Sequence, residues 1–63
     1  MVGKLIKDYL TENGIKQSFL SEKSNIPEPV LSKMFAGQRR ITVEEYSAIC
    51  KSLKVPMDFF VEG

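Results

Sequence analysis

Sixty-three residues make one small domain over 1–63, and such a chain buries only about 60% of its unfolded-state surface on folding. One cysteine cannot pair within the chain, and one cysteine with no histidine rules out an ordinary structural zinc site, so no disulfide, metal or cofactor is expected. The apolar content of 43% is that of a folded chain, no apolar run approaches the ~18 residues of a membrane span, and the net charge of +1 is small for a nucleic-acid partner.

The start, MVGKLIKDYL, is interrupted by polar residues every few positions and does not read as a secretory signal, so a cytoplasmic location is expected. Charge is unevenly spread. Residues 16–40 hold Lys16, Lys23, Lys33, Arg39 and Arg40 against Glu22 and Glu28, whereas 41–63 hold Lys51 and Lys54 against four acids. Positive charge therefore gathers in the middle of the chain.

In chain order, Val2, Leu5, Ile6, Tyr9 and Leu10 follow helical spacing, and Asn13-Gly14 ends that helix. A second helix over roughly 17–24 has Leu20 as its clear core residue. Ser21 is small enough for close helix contact, and the pattern assigns Phe19 no place. A third helix lies within 27–36. Residues before proline avoid the α region, so Ile26 and Glu28 are expected to be extended and Pro29 to be the first helical residue.

On that third helix Val30, Leu31, Met34 and Phe35 fill one arc, while Pro29, Ser32, Lys33 and Ala36 fill the opposite one. Gly37 ends it. The fourth helix opens on Thr42-Val43-Glu44-Glu45, the pattern of a capping box, with Ile41 and Tyr46 spaced for a hydrophobic staple. Its buried stripe is expected to be Val43, Tyr46, Ile49, Cys50 and Leu53, with the cysteine acting as a small apolar residue. Pro56 suits the first position of a short fifth helix running to Phe60 or Val61, where one aromatic closes the core and the other stays exposed.

The expected fold is thus a compact all-α, five-helix bundle. Its second and third helices are separated by a turn of about three residues, the spacing of a helix-turn-helix. The stretches IKQSFLSEKSNI, VLSKMFAGQRRIT and YSAICKSLKVPMDFF resemble the helix-turn-helix family of phage repressors and Cro proteins, over almost the whole chain. Phenylalanine in MFAG is similar to the lambda repressor-like branch. The chain departs from the family pattern in two places. Lys16 and Phe19 stand where helix two usually has its capping box, and Lys54 stands at a common helix-ending glycine.

The resemblance implies a DNA-binding transcriptional regulator, with double-stranded DNA as partner and the third helix in the major groove. Carried over by position, Lys16 and Gln17 would meet phosphate at the groove edge, with Gln17 also bracing the third helix. Glu28, Pro29, Ser32 and Lys33 would face base edges, and Arg39 and Arg40 would meet phosphates. Glu28 can accept from a cytosine amine, which predicts some preference for G·C there. The family's habit of dimerising through its last segment marks Pro56, Met57 and Phe59 as a homodimer interface. A protein-binding module acting through Met57–Val61 is the competing reading. No catalytic carboxylate pair, histidine or phosphate-binding glycine loop is present, so an enzyme and a small-molecule substrate are not expected.

Overall fold

The computed structural model describes residues 2–61. Four helices lie among these residues: α1 (Val2–Glu12), α2 (Gln17–Ser24), α3 (Glu28–Phe35) and α4 (Val43–Leu53). α2 packs on α3 and α4, and α1 packs on α3. The centre is Ile6, Leu10, Leu20, Leu31, Met34, Ile49 and Cys50, with Ile26, Phe35 and Phe60 at its margins.

Local chemistry explains the helix ends. α1 stops where Gly14 turns left-handed at φ 64° and the Ile15 N–H returns to the Leu10 carbonyl at 2.8 Å. α3 stops in the same way at Gly37, φ 76°, with the Gln38 N–H on the Lys33 carbonyl at 2.9 Å. α4 starts on the expected capping box: the Glu45 N–H donates to Thr42 Oγ1 at 3.1 Å, and the Thr42 N–H donates to Glu45 Oε1 at 3.0 Å. α2 follows Lys16, an N-cap residue that makes no side-chain cap, as the sequence implied. α4 ends at Lys54, which takes the left-handed conformation at φ 59° without being glycine.

Four expectations are corrected. The fifth helix does not form. Residues 57–60 are successive turns, closed by separate short-range bonds from the Phe59 N–H to Pro56 and from the Val61 N–H to Asp58. The segment is held instead by aromatic edges. The Phe60 ring lies 5.5 Å from Tyr9 and 6.5 Å from Tyr46, and the Tyr46 hydroxyl donates to the Met57 carbonyl at 2.5 Å.

α3 begins one residue before Pro29. Glu28 is the first helical residue, and the Pro27 carbonyl accepts from both the Val30 and Leu31 N–H groups, at 3.0 and 3.1 Å. A proline at the second position loses no helical bond, since the first four N–H groups have no partner inside the helix. Closing the first turn on Pro27 overrides the extended preference of Glu28.

Val43 is 75% exposed and Leu5 is 36% exposed, so both lie off the buried stripes they were spaced for. Val43 is the first residue of α4, beyond the reach of the helices that cover Ile49 and Cys50. Ser21, small as expected, also carries a hydrogen bond. Its hydroxyl donates to the Ile26 carbonyl at 2.6 Å and tightens the α2–α3 turn.

Helical periodicity alone gives Gly3 no role. It is buried in α1, and a methyl group there would overlap the backbone carbonyl oxygen of Met34. The crossing of α1 on the end of α3 therefore requires a residue without a side chain.

Candidate nucleic-acid interface

At 100° per residue, Glu28, Ser32, Pro29 and Lys33 span about 140° of the α3 surface. All four are exposed, while Leu31, Met34 and Phe35 on the other side are buried. The amphipathic split read from sequence is thus realised, and the exposed arc holds a carboxylate, a hydroxyl and an ammonium within two turns.

α2 is attached to this arc. The Gln17 side-chain amide donates to Ser32 Oγ at 2.8 Å and to the Glu28 carbonyl at 3.3 Å. These bonds tie α2 to α3, and the amide N–H groups are used there rather than turned outward. Ser32 accepts in this bond and keeps its own hydroxyl proton free to donate. The uncapped start of α2 leaves the Gln17 and Ser18 backbone N–H groups without intrahelical acceptors, whereas those of Phe19 and Leu20 donate to the Lys16 carbonyl at 3.1 and 3.2 Å. Lys16 is exposed beside them.

After α3, Arg39 and Arg40 diverge. Arg40 is exposed and enters no ion pair among the described residues. Arg39 gives both terminal nitrogens to Glu45, Nη1 to Oε1 and Nη2 to Oε2, each at 2.9 Å. Its Nη1 also donates to the Arg40 carbonyl at 3.1 Å. That fork ties the exposed Arg39 side chain to the first turn of α4. The Arg39 guanidinium, joined by the Thr42 N–H, lowers the Glu45 carboxyl pKa to about 2. Arg39 is raised in turn, first by its bond to Glu45.

Sequence spacing did not reveal this pair, because a six-residue separation across a loop follows no helical period. The Gln17–Ser32 bond spans fifteen residues and was reached only through the family resemblance. Phe19, left unassigned, is 46% exposed, with the Lys23 ammonium 5.6 Å from its ring centre.

The expected dimer residues Pro56, Met57 and Phe59 are all exposed at the other end of the chain. Phe59 still meets the Tyr9 ring edge-on at 5.3 Å, so its position is fixed. Between the start of α1, the loop after α3 and this segment runs an open groove of about 680 Å³, whose lining includes Val2, Ile41, Val43, Tyr46, Met57 and Val61. No helix among the described residues is long and apolar enough to cross a membrane.

The helix-turn-helix family matches residues 6–60, most of the chain, and the chain belongs to that family. No curated protein and no solved structure matches it.

Proposed function

We propose that this helix-turn-helix chain is a sequence-specific DNA-binding transcriptional regulator of the phage-repressor and Cro kind, working in the cytoplasm as a homodimeric repressor. The observation that carries this reading is the exposed arc of α3, held by Gln17 from α2. A helix of this size fits the major groove, and one tied to its neighbour presents its side chains in a set register.

Each polar group on the arc has a base-edge partner. Lys33 donates to guanine O6 or N7, Ser32 donates to a purine N7, and Glu28 accepts from cytosine N4. Pro29 fills space beside them and offers no backbone donor. The free N–H groups at the start of α2, with Lys16 and Arg40, supply phosphate contacts that fix the register. Glu28 repels phosphate, and with a net charge of only +1 it keeps the affinity modest.

Pairing through Pro56, Met57 and Phe59 brings two such arcs onto one face of the duplex, to read half-sites one helical turn, about 34 Å, apart. Lys33→Ala tests the assignment. It should weaken binding to the preferred duplex and relax selectivity at one base position, by about 1–3 kcal/mol of discrimination. Unchanged binding to that duplex would refute α3 as the reading element.

A second reading is favoured by the exposed apolar groups Val43, Met57, Phe59 and Val61. Such patches mark protein partners, and the scaffold would then bind a protein with little or no DNA affinity. Salt separates the two. DNA binding weakens in proportion to the phosphates neutralised, whereas an apolar complex responds little.

A further inference from the structure

Arg39 and Arg40 are adjacent, on the loop that leaves α3, yet among the described residues only Arg39 enters an ion pair. We propose that Glu45 withholds Arg39 from DNA, so that Arg40 alone of the pair reaches phosphate and the sequence-independent attraction of the domain is held down. This rests on the DNA-binding reading above.

Three features carry it. First, both terminal nitrogens of Arg39 are engaged in a two-pronged bond to one carboxylate, at 2.9 Å each. This is the geometry in which a surface ion pair is strongest. With the third bond, to the Arg40 carbonyl at 3.1 Å, three of the five guanidinium N–H groups are used and the charge is paired with a carboxylate, so the attraction left for a phosphate is weak.

Second, the carboxylate cannot follow the guanidinium outward. Oε1 is held by the Thr42 N–H at 3.0 Å, and the Glu45 backbone is held by Thr42 Oγ1 at 3.1 Å. Glu45 also lies in the first turn of α4, where the helix dipole favours its charge.

Third, the pair is partly shielded from solvent, with side-chain exposures of 38% for Arg39 and 21% for Glu45. The same carboxylate thus closes α4 and positions Arg39. Glu45 is a positioning residue, and its effect on DNA is exerted through the arginine.

The test is the dependence of duplex affinity on salt for the full chain and four variants. Each phosphate neutralised adds about 0.9 to the slope of log K against log salt. Glu45→Gln keeps an oxygen for the Thr42 N–H, so the α4 cap survives while the charge on Arg39's partner is lost. This variant should steepen the slope by about 0.9, so that affinity falls about 3.5-fold further over a fourfold rise in salt.

Phosphate contacts carry no sequence information, so the variant should gain affinity for the preferred and an unrelated duplex by the same factor. Arg39→Ala should leave the wild-type slope unchanged. Arg39→Ala combined with Glu45→Gln should match Arg39→Ala alone. Arg40→Ala should make the slope shallower by about 0.9.

A shallower slope for Arg39→Ala would mean that Arg39 already meets phosphate, and would overturn the proposal. So would an unchanged slope for Glu45→Gln, or a steepening that persists without Arg39, since Glu45 would then act by its own charge. Wild-type chain that binds no duplex at low salt would instead remove the DNA-binding reading, and this inference with it.

Discussion

Gln17 in α2 donates to the hydroxyl of Ser32 in α3 at 2.8 Å, across fifteen residues of chain. With the second bond to the Glu28 carbonyl, at 3.3 Å, it ties the start of one helix to the exposed side of the next. The bond fixes how α2 sits on α3, and because Ser32 accepts in it, the serine's single hydroxyl proton is left to donate elsewhere.

Gln17→Ala should therefore lower stability by about 0.5–1.5 kcal/mol, the ordinary size of a protein hydrogen bond. In a urea double-mutant cycle, Ser32→Ala should cost less in the Gln17→Ala background than in the wild type. Additive losses would mean that the two side chains are not coupled.

Gly3 makes a prediction opposed to helix propensity. Alanine is favoured over glycine within a helix by about 1 kcal/mol. A methyl at Gly3, however, would run into the Met34 carbonyl, which is backbone and cannot swing aside. Overpacking of this sort costs about 1–3 kcal/mol, so Gly3→Ala should lower the urea midpoint. A raised midpoint would contradict the close crossing of α1 on α3.

Lys54 makes the opposite prediction. At φ 59° it holds a left-handed conformation at the end of α4, with the Val55 N–H on the Cys50 carbonyl at 3.0 Å. That conformation strains an ordinary residue by about 1–2 kcal/mol and glycine hardly at all. Part of the gain is offset by glycine's freedom in the unfolded chain. Lys54→Gly should raise the thermal midpoint, by an amount worth about 1 kcal/mol or less.

Glu45 predicts an acid limb. Its folded pKa, about 2, lies below its ordinary value of 4.5, first through Arg39 and then through the Thr42 N–H. The unfolded chain therefore takes up a proton before the folded chain does. The contribution is complete above about pH 4.5 and is lost as pH falls toward about 2. Urea midpoints measured from pH 5 down to 2 should fall, and Glu45→Gln should flatten that fall. An equally steep fall in the variant would place the acid sensitivity elsewhere.

What the sequence revealed was mostly local. The Thr42–Glu45 box, the endings at Gly14 and Gly37 and the bare start of α2 after Lys16 each depend on residues within one turn of each other. The split of α3 into Leu31, Met34 and Phe35 inside and Ser32 and Lys33 outside follows from periodicity alone. Rules for single residues failed where tertiary geometry competed with them. Proline pairing pointed to an extended Glu28, yet the Pro27 carbonyl closes a helical turn over it.

Pro56 pointed to a fifth helix, but the aromatic contacts of Phe60 with Tyr9 and Tyr46 settle that segment as turns. Val43 had the right spacing and nothing above it. Gly3 could have been suspected, since a glycine inside a helical pattern often marks a packing contact. The Arg39–Glu45 pair gave no signal of any period.

The central claim is that α3 reads a DNA sequence. The most direct test is selection of bound duplexes from a random DNA library, followed by titration of the enriched duplex at low and near-physiological salt. The account predicts an enriched palindrome with half-sites about ten base pairs apart, and affinity that falls steeply with salt. No enrichment, with weak binding at every salt concentration, would contradict it and turn the search to a protein partner at Met57–Val61.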